Sequence, residues 1–389
     1  MKKQPTPTPV DQGASPAAIA RADRERKRSK YERFPVICII LYIMAGISLI
    51  LYGIMHISTP FADWFNGTVS AFLRGVFAAL TAWIPFSLGE ALILLMPLIL
   101  VLVMIHAIRK RCDSWRAAMV YVGILFSVIA TLFTVFVWNF AAGYRSRPLE
   151  DKLELERDQV SAEELYETTV WLVENINRET ELIGYCADDF SAMPYNLYTM
   201  NRHLTDAYET FSDDHRFMTY SVGTPKPVLF SEVMSHMHIT GVYSFFTGEA
   251  NINVGFPDYT IPYTAAHEMA HQRGIAREDE ANFMAFLVCI GSDDPYIRYS
   301  GYLNVYEYVA SALWSADKEL YYKATSELDT LVKGELAAYN DFYDRYRDSV
   351  VADVSSAVND SYLQSQGTPG TKSYGMVVDL AVAYRKSLP

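Results

Sequence analysis

The chain has 389 residues, 51% of them hydrophobic, and a formal net charge of −12, which is room for one membrane-embedded region plus one domain of ordinary size. The charge is unevenly placed: residues 1–143 carry 14 Lys and Arg against 7 Asp and Glu, whereas residues 144–389 carry 19 against 38, a split that marks two parts in different surroundings. The acidic part lacks the cationic surface that phosphate binding needs, which excludes nucleic acid as a partner.

Residues 1–33 open with alternating Pro and Thr and continue as "RADRERKRSK". Too little apolar surface is present there to fold alone, so a disordered basic tail is expected. Residues 34–140 form the transmembrane region. "PVICIILYIMAGISLILYGIM" (Pro35–Met55) has no charged residue and is long enough to cross the hydrocarbon core at about 1.5 Å per residue. The run is too long for a signal peptide and lacks a small-residue cleavage site, so it reads as an anchor. Two further spans are expected at about 86–108 and 117–138. The intervening stretch Pro60–Ile84 contains Asp63, Asn66 and Arg74 and reads as an interfacial or re-entrant segment. The lipid bilayer is therefore a partner of this chain.

Arg21, Arg24, Arg26, Lys27, Arg28, Lys30 and Arg33 precede the first span, and "RKRCDSWR" joins the second to the third. The positive-inside rule places both in the cytoplasm and the N-terminus with them. Three crossings of the cell membrane then deliver residues 141–389 to the outside, as an extracytoplasmic domain.

That domain reads as mainly helical α+β. "SAEE" (Ser161–Glu164) is a capping box ahead of a charged helical stretch. Further helices are expected at about 190–210, 228–237, 300–348 and 374–386, with loops at "SDDP" and "GTPG". "EANINVGF" (Glu249–Phe256) alternates with period two and predicts a strand. Of the four cysteines, Cys38 and Cys112 lie in or beside apolar segments. Cys186 and Cys289 read as two buried thiols, which pair only if the fold brings them together.

Chemistry concentrates in "PYTAAHEMAHQRGIAREDEANFMAF" (Pro262–Phe286). Pro262 suits the first turn of a helix and Gly274 its end. His267 and His271, four apart, share one face and can grip one zinc ion. Glu268 points beside that metal, where it can act as the base toward a metal-activated water, the HExxH logic of metallopeptidases. Ala265, Ala266, Met269 and Ala270 make the rest of the helix small and apolar, so it is expected to be buried, with polar groups that need partners.

Zinc needs a third protein ligand. The glycine three residues after His271 resembles the metzincin turn, but Arg277 stands where the third His of that pattern would be. The candidates are Glu278 and Glu280. With a second helix starting near Ala276, Glu278, Ala281, Asn282 and Ala285 share a face, which favours Glu278. Glu-x-x-Ala-Asn resembles the second helix of gluzincin peptidases, a resemblance that implies Glu278 as ligand and Asn282 as the residue orienting a metal-binding His. Glu280 would sit about 200° round the helix and is the alternative ligand. Arg273 and Arg277 are expected to pair with carboxylates.

"EANINVGF" can supply the sheet-edge strand that pairs with an extended peptide beside a zincin cleft. Asn251 and Asn253 would then face the cleft, and Glu249 would cap the strand or bind substrate. His236 and His238 in "SHMHIT" read as polar surface. A tyrosine or histidine that stabilises the oxyanion is expected, and Tyr302 and Tyr374 are named without assignment.

The chain resembles the bacterial membrane family known as domain of unknown function 3810. The residues that carry this are "WNFAAGYRSRPL", "YSFFTGEANIN", "HEMAHQRGIAREDEANF", "SDDPYIRYSGYL" and "SYGMVVDLAVAY". The resemblance implies a zincin-like centre at His267, Glu268 and His271 with a nearby glutamate. "EDEANFMAFL" is also similar to the glutamate helix of regulatory peptidases that cleave phage-type repressors. The expectation is a membrane-anchored zinc metallopeptidase, a hydrolase that cuts envelope, secreted or membrane-tethered polypeptides. The alternatives are a catalytically silent, metal-stabilised envelope receptor or scaffold, and a signalling protease.

Overall fold

The computed structural model describes residues 15–21, 34–111, 114–186, 190–218, 221–347 and 349–388. Most of the expected basic tail lies outside the described residues, as does Cys112; residues 16–21 form a short helical turn. Helices α1 (Val36–Ile57), α4 (Leu88–Arg111) and α5 (Trp115–Asn139) are, among the described residues, the three long and apolar enough to cross a membrane. Between the first two lie α2 (Thr59–Phe65), a π-helical turn (Asn66–Ser70) and α3 (Ala71–Ala82). The charged residues of that stretch interrupt its apolar run without interrupting its helical hydrogen bonding.

The chain divides into two compact units. The first comprises residues up to Ile47 and Leu94–Thr134. Within it the Tyr42 hydroxyl donates to the Gly123 carbonyl at 2.7 Å and Ser127 Oγ lies 3.5 Å from Cys38 Sγ. Gly123 has no side chain because Phe34 occupies that space: a Cβ would meet the ring at 2.5 Å.

The second unit comprises Ser48–Ile93 and Val135–Pro389. After a 3₁₀ turn (Ala141–Arg145) come α6 (Leu149–Lys152), α7 (Ala162–Thr180), β1 (Gly184–Tyr185), β2 (Ser191–Ala192), α8 (Leu197–Asp214), β3 (Lys226–Pro227) and α9 (Ser231–His236). There follow β4 (Gly241–Ser244), β5 (Glu249–Ile252), α10 (Thr260–Gln272), α11 (Glu278–Ile290), α12 (Pro295–Ala316), α13 (Lys318–Thr325), α14 (Thr330–Asp344), α15 (Val350–Ser365), a second 3₁₀ turn (Gly370–Met376) and α16 (Val377–Ser387). The domain is mainly helical with small sheets, as its sequence pattern predicts. The long helix expected over 300–348 is three helices, broken where Asp317 and Asp329 cap new N-termini through their side chains. The capping box is present: Glu164 N–H donates to Ser161 Oγ at 3.2 Å and Ser161 N–H to Glu164 Oε2 at 2.9 Å.

Strand β5 pairs in parallel with β3 and antiparallel with β4, with Ala250 opposite Tyr243. It is therefore central, and the expectation that "EANINVGF" forms the sheet edge is wrong: β3 and β4 are the outer strands, β4 on the side of Glu268. All four residues of β5 are buried, so its period-two pattern does not mark a half-exposed strand. Helix α10 lies under β4 and β5 and against α11 and α12. All thirteen α10 residues are buried, because Ala265, Ala266 and Ala270 leave room for Ala281 and Ala285 of α11. Gly274 ends α10 with φ of +96°, a conformation that suits glycine.

Cys38, Cys186 and Cys289 are free thiols. Cys289 is buried as expected but Cys186 is exposed, since it lies past the end of β1, outside the helical core.

Candidate metal centre

His267 and His271 face the same way from successive turns of α10, with their ring planes at 88° and centroids 4.6 Å apart. Glu278, the first residue of α11, reaches both: its Oε2 lies 3.2 Å from His267 Nε2 and 3.4 Å from His271 Nε2. One ligand atom from each of the three falls within 4.8 Å of the other two, the one such group of three among the described residues.

The opposite ring nitrogens are already committed. His267 Nδ1 lies 2.7 Å from Asn282 Oδ1 and His271 Nδ1 lies 2.7 Å from the Ile275 carbonyl. Both acceptors demand a proton on Nδ1, which leaves a lone pair on each Nε2. In the neutral rings two lone pairs thus face a buried carboxylate oxygen. Three electron-rich atoms in a dry site repel one another unless a positive charge, a ring proton or a metal ion, lies between them. Burial opposes charge on His271, yet the Glu278 carboxylate outweighs it and pushes the imidazole up to about 9. Burial likewise works against ionised Glu278, and the His271 and His267 rings overcome it to hold the carboxyl below its ordinary range. The separations of 3.2 and 3.4 Å match the roughly 3.3 Å edge of a tetrahedron with bonds of about 2.05 Å, the dimensions of a zinc site. The donor set of two imidazoles and one carboxylate fits a divalent cation.

Glu280 is elsewhere. Its carboxylate accepts from Leu149 N–H at 3.0 Å and pairs with Arg277, tying α11 to α6. The helical rotation between positions 278 and 280 separates the two acids, so Glu280 does not join the cluster. Asn282 both accepts from His267 and donates its Nδ2 to the Tyr374 carbonyl at 3.3 Å, which fixes its amide orientation. Arg277 pairs with a carboxylate as expected; Arg273 lies over the Tyr208 ring at 4.1 Å and donates to Met269 O.

Glu268 lies under the outer strand. A Cβ on Gly241 of β4 would sit 2.5 Å from Glu268 Oε1, so the glycine is what lets the carboxylate lie there. Glu268 Oε2 is buried without a hydrogen-bond partner. Burial pushes this carboxyl up to about 7, against the pull of His267 and His271, with the Glu278 charge adding to the rise.

The sequence reading misplaced other polar residues. Asn251 donates to Val242 O and Glu249 O, and Asn253 to Ser235 Oγ and Ile239 O; both are buried and their amides hold the sheet and its loops. Glu249 accepts from Leu88 N–H and Gly89 N–H at the start of α4 and pairs with Lys226 at 2.7 Å, so it is committed to the scaffold. His238 faces the Tyr346 carbonyl at 2.8 Å and His236 packs on the Tyr346 ring; neither belongs to the metal cluster. Tyr302 packs on Trp171 and Phe286 in the core. Tyr374 stacks over His267 at 6.5 Å, and its hydroxyl is pushed up by burial first and then by the Glu278 charge.

Sequence reasoning did not assign the membrane-proximal neighbours. Phe140, one residue past α5, sets its ring edge-on to His271 at 5.8 Å, and Tyr144 and Tyr362 are both raised by burial with a contribution from Glu278. Arg74 of α3, wholly buried, donates to Asn66 Oδ1 at 2.9 Å, Asn139 O at 2.8 Å and Arg273 O at 3.4 Å, while Asn66 Nδ2 donates to Gly274 O at 2.9 Å. A guanidinium thus sits at the C-terminal, partially negative end of the histidine helix. Burial lowers its pKa to about 10, and it remains charged at neutral pH. Arg74 and Asn66 of the Pro60–Ile84 stretch thus fasten the C-terminal end of α10 to the end of α5, while Asp63 pairs with Lys152 at 3.0 Å.

No curated protein and no solved structure shows significant similarity to the chain. One family profile matches residues 65–382, and the chain therefore belongs to the family described as "Protein of unknown function (DUF3810)".

Proposed function

We propose that this protein is a membrane-anchored zinc metallopeptidase whose domain lies outside the cytoplasm. The observation that carries the reading is the convergence of His267 Nε2 and His271 Nε2 on Glu278 Oε2 at 3.2 and 3.4 Å, beside the unpartnered carboxylate oxygen of Glu268. Three protein ligands favour an open catalytic site over a closed structural one, which takes four. A bound divalent cation supplies Lewis acidity, polarising a carbonyl and acidifying a water.

Glu268 takes the proton of the attacking water and returns it to the leaving amine; a carboxyl poised near 7 can do both. Asn282 and the Ile275 carbonyl hold the imidazoles in the required tautomer. Outer strand β4, beside Glu268 and exposed at Val242, is the strand to which an extended peptide would pair, through backbone bonds with little regard for side chain. Phe140, which directly follows α5 and packs on His271, keeps the site close to the end of an apolar span, which favours membrane-tethered or envelope polypeptides as substrates.

The test is to purify the full chain with its native metal and compare it with Glu268→Gln. One zinc per chain in both is expected, with polypeptides at the surface of Glu268→Gln cells accumulating uncut by mass spectrometry. Zinc-free protein, or identical surface and secreted polypeptides in the two strains, sinks the reading.

A further inference from the structure

Helix α15 is amphipathic in the wrong sense for a domain helix. Only Ala352 and Leu363 of its sixteen residues are buried. At about 100° per residue these two lie on one side, about 200–220° from Val350. Val350, Val351, Val354, Val358 and Tyr362 fall within an arc of about 120° on the other side. The valines are 76%, 54%, 60% and 66% exposed. A helix packed on a water-soluble domain turns its apolar arc inward; this one turns it away.

The C-terminal end of α15 is fixed at the level of the membrane helices, and its N-terminal end is tied to them through α9. At the C-terminal end Tyr362 sets its ring against Phe136 of α5 at 6.2 Å, and Tyr52 of α1 donates to Gln366 at 3.2 Å. Phe136 and Tyr52 each lie within about a turn and a half of the end of an apolar span. At the N-terminal end Ser349 Oγ donates to His236 O, the last residue of α9. The chain entering α9 is held in turn by Glu90, in the first turn of α4, whose carboxylate accepts from Leu229 N–H and Phe230 N–H at 2.9 Å each. Leu229 is 82% exposed, and Phe230 and Val233 are exposed beside it.

We propose that α15, together with Leu229, Phe230 and Val233, forms a bilayer-embedded surface, so that the domain rests in the outer interface of the membrane its helices cross. The occupant is lipid, because the surface is continuous with the ends of three spans and its residues cannot stand at that height without meeting the acyl boundary. The attraction is apolar: α15 carries Asp353 and Asp360 and no Lys or Arg, so it gains nothing from anionic headgroups. Asn359 on the same helix donates to the Tyr374 hydroxyl at 3.4 Å, which links this surface to the ring stacked on His267.

The experiment uses the unmodified full chain in phosphatidylcholine vesicles doped with a phosphatidylcholine that carries a diazirine near the glycerol end of its acyl chain. After irradiation, mass spectrometry is expected to find lipid adducts on peptides covering 350–362 and 229–233, at yields within a few-fold of the span peptides. Leu331, exposed on α14, should remain unlabelled, and added phosphatidylglycerol should change nothing. The Val354→Asp/Val358→Asp variant should lose the α15 adduct at least tenfold while its span adducts persist. Adducts confined to the three spans, or an undiminished adduct in the double variant, would each overturn the proposal.

Discussion

Asn282→Ala tests the assembly of the metal centre most directly. Asn282 Oδ1 accepts from His267 Nδ1 at 2.7 Å in a buried setting. Its removal leaves an N–H donor without a partner, a cost of about 1–3 kcal/mol. In the metal-free protein the ring is free to turn and recover a partner, so most of that cost falls on the bound form. At about 1.4 kcal/mol per decade, zinc affinity should weaken roughly 5- to 150-fold, in line with the 10- to 100-fold typical of groups that orient a metal-binding His. Asn282→Asp keeps an acceptor, makes it anionic, and should bind zinc as tightly as the native chain or tighter. Competition against a chromophoric chelator measures both, with thermal unfolding of the metal-free proteins as the check on folding. The reasoning fails if Asn282→Ala stays within threefold of the native affinity, or if Asn282→Asp is weakened as much as Asn282→Ala.

Three further outcomes are expected. Glu278→Gln should lose stoichiometric zinc by elemental analysis while Glu280→Gln retains it, because only the former oxygen faces the imidazoles; the reverse pattern would reassign the ligand. Gly241→Ala should lower peptidase turnover at least tenfold with zinc content unchanged, since a Cβ 2.5 Å from Glu268 Oε1 forces that carboxylate aside; unaltered turnover would show that the strand yields instead. Glu307 is raised to about 7, by burial first, against the Tyr259 hydroxyl bond and with Glu335 adding to the rise. Its folded-state pKa exceeds its ordinary 4.5, so the cost of its charge is absent below about pH 4.5, grows through the interval, and is complete above pH 7. Glu307→Gln should therefore raise thermal stability at pH 8 by up to about 3 kcal/mol and leave it little changed at pH 4.5; equal effects at both pH values would contradict this origin.

Much of the site was legible in the primary structure because its rules are local. His267 and His271 share a face as soon as the segment is helical, and the small residues between them require that helix to be buried. The Glu278–Asn282 spacing brings a carboxylate and an amide to one face of α11 by the same rule. The three apolar helices follow from length and composition alone. The sheet was misread for a complementary reason. Alternation in Glu249–Phe256 marks a strand, but not which neighbours it acquires. With β3 and β4 on either side, β5 is central, and Asn251, Asn253 and Glu249 satisfy the scaffold.

What the sequence by itself determined is thus the set of elements and the identity of the chemistry-bearing residues, since helical period, capping and span length depend on residues a few positions apart. Only the tertiary structure decided which oxygen meets the two imidazoles, which strand is central, and that Arg74 and Phe140, far away along the chain, close on the C-terminal end of the histidine helix. These outcomes depend on long-range packing, in which alanine-lined helices approach until a buried charge or lone pair finds its partner. No local spacing encodes that match.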